Sequence, residues 1–133
     1  MEINVNQLLS QAIKAREASY SPYSGISVGA ALLTADGRVY LGANIENSSF
    51  TPTVCAERVA FFKAIYEGER RFVAIAIAGG EVGKAPKVDF PPCGVCRQVM
   101  SEFCGGDFRI IWGNGDTVID TTLSEILPYG FKL

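Results

Sequence analysis

Histidine is absent from this 133-residue sequence. Its absence excludes Ser-His-Asp and Cys-His catalysis, and every metal site that needs imidazole. Long apolar runs are missing too: none approaches the roughly 18 residues that would cross a bilayer. Met1 to Arg16 carries Glu2 and polar residues throughout, with no basic start leading into an apolar stretch. No secretory signal is read there, and the expected compartment is the cytoplasm, with no membrane partner. Positive charge is in short supply, since 12 Lys and Arg against 14 Asp and Glu leave a net charge of −2. A protein that grips a polyphosphate backbone carries a basic patch, because counterion release drives such binding. The short Arg70-Arg71 cluster reads as a solvated face, so no nucleic-acid partner is expected.

What is present describes a folded enzyme-sized unit. Apolar residues make up 48% and charged residues 20%, which argues against disorder and for a single domain over residues 1–133. Asn4 or Asn6 can cap a first helix that carries Leu8, Leu9, Ala12 and Ile13 at helical spacing. Ile26, Val28, Ala30 and Leu32 alternate as a strand, and Asp36-Gly37 turns it into a second strand from Val39 to Ile45. Val54 to Tyr66 reads as a helix, and Phe72 to Ala78 as a strand covered on both faces. After a Gly-, Lys- and Pro-rich loop, Pro92 can open a helix from Cys93 to Phe103. Two strands follow, Asp107 to Trp112 and Thr117 to Thr121. Thr122 with Glu125 then forms a capping box for a last short helix. The order α-β-β-α-β-α-β-β-α predicts an α/β fold, a five-stranded mixed sheet flanked by helices.

Chemistry concentrates on the cysteines, four in all. Cys93-Gly94-Val95-Cys96 places two sulfurs on one helix face at a helix N-terminus, which favours the thiolate form. Alone, the pair is equally compatible with a redox dithiol or with two buried structural thiols. Cys55-Ala56-Glu57, also at the start of a helix, adds a third thiolate. Three protein ligands and one position open to water are what a hydrolytic zinc site requires. Glu57 is then a proton-transfer group beside the metal and not a ligand. Three thiolates with a dication leave one net negative charge, which is costly in a dry pocket unless cations stand nearby. Arg58 and Arg97, each directly after a candidate site residue, are placed to supply that charge or else to lie on the surface.

Cys-x-Glu followed by Pro-Cys-x-x-Cys resembles the signature of the zinc deaminases. More narrowly, the chain resembles the small cytidine deaminases. The matching stretches are Pro22-Tyr23-Ser24, Val28-Gly29-Ala30-Ala31-Leu32, Asn44-Ile45-Glu46-Asn47, Cys55-Ala56-Glu57-Arg58, the run from Pro92 to Val99, and Leu127-Pro128. The resemblance implies a three-layer α-β-α sandwich and one zinc ion per subunit, held by Cys55, Cys93 and Cys96. It implies hydrolytic deamination of cytidine, and of deoxycytidine with it, in pyrimidine salvage. An activated water adds to C4 of the pyrimidine while Glu57 carries its proton to N3 and then to the departing ammonia. Asn44 and Glu46 correspond to a ribose-binding pair. Two apart at a strand end, they would share one side while Ile45 faces the core. The backbone of Ala56 would lie near the base.

The chain departs from the family pattern where an aromatic residue that packs on the base is replaced by Ile26. Phe50 stands in place of a tyrosine, and Pro91 in place of a serine. These changes bear on which nucleoside is taken. The resemblance also implies a homotetramer with shared active sites, in which the ring of Phe131 closes over a base bound in a neighbouring subunit. Cys104 matches no ligand position and reads as core filler. The competing readings are a deaminase of another small aminopyrimidine or of a polynucleotide, a non-catalytic zinc-stabilised module, and a metal-free redox protein.

Overall fold

In the computed structural model, which describes residues 2–133, Asn4 caps the first helix by accepting from the Gln7 backbone N–H at 3.1 Å. Helix α1 (Val5–Ala15) buries Leu8, Leu9, Ala12 and Ala15 along one stripe and ends in a single 3₁₀ turn. Strand β1 (Ile26–Thr34) then turns at Asp36-Gly37 into the antiparallel β2 (Val39–Ala43). Helix α2 (Ala56–Tyr66) leads to β3 (Phe72–Glu81), and α3 (Gly94–Phe103) to β4 (Arg109–Gly113). β5 (Val118–Thr122) and the short α4 (Leu123–Ile126) complete the chain. The sheet order is β2-β1-β3-β4-β5, antiparallel except for the parallel β3–β4 pair.

The two faces of this mixed sheet differ in side-chain size. Ala31, Ala74, Ala76 and Ala78 with Ile111 receive α1, so that helix lies close to the strands. Val28, Ala30, Leu32, Ile75, Ile77 and Ile110 face the other way and pack against Ala56, Ala60 and Phe61 of α2 and Cys96 and Met100 of α3. The result is the expected three-layer α-β-α sandwich. Its consequence for function is that α2 and α3 share one face, with their N-termini on the same core.

Three local expectations change. β3 does not stop at Ala78, because Gly79 and Gly80 keep the pairing with Val28 and Ser27 of β1. β2 ends at Ala43, and Ile45 makes only isolated bridges to Tyr20 and Val54. Outside the strand alternation Ile45 turns outward and is 47% exposed, so it does not face the core. The capping box at α4 also fails to form. Thr122 Oγ1 donates to the Glu125 carboxylate at 3.3 Å and gives α4 no backbone cap.

The seating of α2 depends on Gly42 of β2. A Cβ built there would lie 2.3 Å from the Ala56 carbonyl oxygen and 2.6 Å from the Ala60 nitrogen. Gly42→Ala must therefore push α2 off the sheet, an overpacking change expected to cost about 1–3 kcal/mol. Chemical denaturation measures the loss. A variant as stable as the parent would show that α2 has room to move.

Candidate metal centre and active site

Both helices that share the second core begin with a cysteine. Cys55 (φ −74°, ψ 155°) and Cys93 (φ −68°, ψ 165°) are the extended N-cap residues of α2 and α3. The helices therefore start one to two residues later than the sequence pattern suggests. An N-cap side chain ordinarily accepts from the first-turn N–H groups. Neither cysteine does so here, which leaves both sulfurs free. The Cys93 and Cys96 sulfurs lie 3.5 Å apart and those of Cys55 and Cys93 3.7 Å apart. All three ligand atoms fall within 4.8 Å of one another. A tetrahedral ion with metal–sulfur bonds of about 2.3 Å needs sulfurs about 3.75 Å apart, so the cluster fits zinc. Among the described residues, no fourth His, Cys, Asp or Glu ligand joins them. Cys104 stays at the edge of the core, where burial pushes its thiol up to about 12.

Electrostatics in the cluster follow from proximity. The hydrogen bond with the Cys96 thiol lowers the Cys55 pKa, and the Arg58 guanidinium lowers it further, with Nη2 at 3.5 Å from the Cys55 sulfur. Cys96 is raised by the same pairing and by its burial. Glu57, only 4% exposed, sits beside the sulfurs without joining them. Burial raises its carboxyl to about 7. Its own backbone N–H opposes the rise, and the Cys55 charge adds to it.

The two arginines divide. Arg58 lies three residues after Cys55, on the same helix face, and reaches its sulfur as the charge arithmetic requires. Arg97 follows Cys96 directly, about 100° further round the helix, and touches no sulfur. Instead its Nε and Nη1 donate to the carbonyls of Pro92 and Ile126, each at 2.8 Å. It fixes the residue before Cys93 and ties α4 to the metal loop, and so does not neutralise the sulfurs. Its neighbour Gln98 donates to the Phe131 carbonyl at 3.1 Å.

The remaining predicted residues are spread around this centre. Asn44 is buried, with Oδ1 accepting from Val28 N–H and Nδ2 donating to the Ile26 carbonyl, both at 2.9 Å. Glu46 Oε1 accepts from the N–H groups of Tyr23 and Ser24, and Oε2 from the Ser24 hydroxyl. The Ser24 hydroxyl is the main cause of the lowered Glu46 pKa. Nothing in the sequence marks Ser24 for a role; its contact with Glu46 gives it one. Ile26 is partly buried at the border of the metal-side core, while the Ala56 residue between Cys55 and Glu57 is fully buried. Phe50 is 68% exposed at φ +64°, its ring edge-on to Tyr23 at 5.8 Å. Phe131 is 64% exposed.

A three-thiolate centre that leaves its fourth position to water belongs to hydrolytic zinc enzymes. Structural zinc modules close the shell with a fourth ligand. Comparison with known proteins narrows the class. Residues 3–112 match the family model for the cytidine and deoxycytidylate deaminase zinc-binding region. A cytidine deaminase of Sporosarcina psychrophila is 46% identical over 132 residues, spanning 98% of this chain and 93% of its own. One from Halalkalibacterium halodurans is 52% identical over 126 residues, spanning 93% and 91%. The crystal structure of a cytidine deaminase from Burkholderia pseudomallei matches with a TM-score of 0.88 at 39% identity, over 97% of this chain and 100% of that one. The chain belongs to the cytidine and deoxycytidylate deaminase family, whose members are hydrolytic enzymes with a zinc-binding region.

Arg58→Gln removes the guanidinium that reaches the cysteine cluster. Zinc affinity is expected to fall roughly 10–100-fold, read by competition with a chromogenic chelator. Unchanged affinity would mean that the guanidinium does not offset the thiolate charge.

Proposed function

We propose that this chain, as a single catalytic domain, hydrolyses cytidine and deoxycytidine to uridine, deoxyuridine and ammonia in cytoplasmic pyrimidine salvage. The observation that carries this reading is Glu57: a buried carboxyl poised near neutral pH, beside three convergent cysteines and outside their cluster. When bound by Cys55, Cys93 and Cys96, zinc supplies a Lewis acid that brings a water's pKa towards 7. Glu57 is placed to carry one proton of the attacking water to N3 and then the second, from the new C4 hydroxyl, to the departing amine, roles that need a pKa close to the working pH. Asn44 keeps one N–H and one lone pair beyond its bonds to β1, and Glu46 keeps acceptor capacity, so both can hold sugar hydroxyls. Ala56 walls the base, and Ile26 offers it apolar contact. The net charge of −2 suits a free nucleoside better than a polynucleotide.

Ammonia release on cytidine, deoxycytidine and cytosine tests the substrate class directly. Glu57→Gln is expected to retain zinc and fold while activity falls at least 10²–10⁴-fold. Loss of zinc in that variant would move Glu57 into the coordination shell.

The same reading includes a homotetramer with shared sites. Its support is apolar surface that a lone chain leaves wet. Phe62 and Tyr66 on α2 are exposed, as are Phe50 and Phe131. Removing residues 130–133 is expected to raise KM with zinc content intact. Mixing that chain with full-length Glu57→Gln is expected to restore activity, since a mixed assembly pairs an intact Glu57 with an intact Phe131. Failure to rescue after subunit exchange, followed by native mass spectrometry, would place the whole site within one chain.

A further inference from the structure

The segment between β3 and α3 has no role in the site so far. It folds back over the sheet and is pinned at three points. The Lys87 N–H donates to the Gly79 carbonyl at 2.8 Å, and the Trp112 indole N–H to Asp89 Oδ1 at 3.3 Å. Arg97 holds the Pro92 carbonyl at 2.8 Å. Between the first and last of these pins, Phe90 is laid flat against Gly79. A Cβ built at Gly79 would lie 2.4 Å from Phe90 Cε1 and 2.6 Å from Cδ1 and Cζ. Glycine therefore makes the seat, and any side chain there would evict the ring.

That seat is on the metal side of the sheet. Gly79 continues the alternation of Ile75 and Ile77, which face α2 and α3. In the β1–β3 register Val28 lies opposite Gly79, and Ile26 lies opposite Glu81. Ile26, Val28 and Gly79 thus share one face, with Ile26 diagonal to the seat and within reach of a large side chain. Phe90, Ile26 and Cys55 are all partly buried residues bordering the core that holds Ala56 and Cys96. Phe90 is three residues from Cys93 and is only partly buried. Ile26 has no π face, and beside it stands an aromatic ring with a glycine cut to receive it.

We propose that Phe90 supplies the aromatic wall of the base pocket in this chain, seated on Gly79 and facing the space beside Ile26. This rests on the nucleoside-deaminase reading. A base stacked on an aromatic side chain gains roughly 5- to 150-fold in affinity. Asp89 and Lys87 hold the ring in place before substrate arrives, so little ordering is needed on binding.

The test uses the full-length, zinc-loaded chain, with cytidine as substrate and uridine as competitive inhibitor. Phe90→Leu keeps an apolar body of similar reach and removes the π face. Its KM for cytidine and inhibition constant for uridine should each rise about ten-fold. Its kcat should stay within about three-fold, with zinc content and melting temperature unchanged. Phe90→Tyr should remain near wild type. Adding Ile26→Phe to Phe90→Leu should bring both constants back towards wild type, because the second ring enters the vacated space. Unchanged constants in Phe90→Leu overturn the proposal, as do equal rises in the Leu and Tyr variants, which would mark a packing role. If Phe90→Leu does not fold, Gly79→Ala displaces the ring with its side chain intact and should raise the same two constants. A wild-type chain that releases no ammonia from cytidine overturns the functional reading, and this one with it. A wild-type chain that does, beside an indifferent Phe90→Leu, overturns this one alone.

Discussion

Three cysteine sulfurs converge on one point, and the architecture follows from that requirement. Two unit charges 3.7 Å apart repel by roughly 4 kcal/mol at an effective dielectric of about 20. A helix N-terminus offsets only about 0.3–1 kcal/mol of this. Two helix ends and Arg58 together therefore cannot hold three thiolates. Within the cluster the Cys55–Cys96 hydrogen bond lowers the Cys55 pKa and raises that of Cys96. A dication held there would remove the conflict, because metal binding contributes folding free energy where the site forms only in the folded state.

The sheet meets the geometric side of the same requirement. Two helices must begin at one place although 37 residues separate the second from the first, so both need the same face and a fixed depth. The face is set by the large residues Ile75, Ile77 and Ile110, against the alanines that admit α1 on the other side. The depth is set by Gly42 beneath Ala56 and Ala60. α2 is accordingly apolar almost all round. Ala56, Ala60, Phe61 and Ala64 are buried inward while Phe62 and Tyr66 face out.

The cysteine cluster and element order could be read from the sequence because they are local. Cysteine spacing, capping residues and apolar periodicity each act over a few positions. Arg58 was legible for the same reason, lying one helical turn from Cys55. Arg97 could not be placed from the sequence, because adjacency in sequence is a rotation of about 100° on a helix and its partners are the carbonyls of Pro92 and Ile126. Ile45 was misjudged because β2 ends two residues earlier, which removes the alternation the inference used. Phe90 gave no signal at all. Its contacts join residue 79 to 90 and residue 89 to 112, and no periodicity encodes a loop packed on a glycine.

The spacings of the site residues now have a physical explanation. In a regular helix, residues two apart point to nearly opposite sides, so Cys-x-Glu would separate sulfur from carboxylate. Cys55 escapes this because it is the extended N-cap, outside the helical rotation that separates residues two apart. That brings its charge close enough to raise the Glu57 pKa. Cys93-x-x-Cys96 uses the same device over one further residue, from an N-cap to the third helical position, the reach that a capping box uses. The Cys55 and Cys93 sulfurs stand where cap oxygens would, but converge with Cys96 and leave the helix N–H groups uncapped.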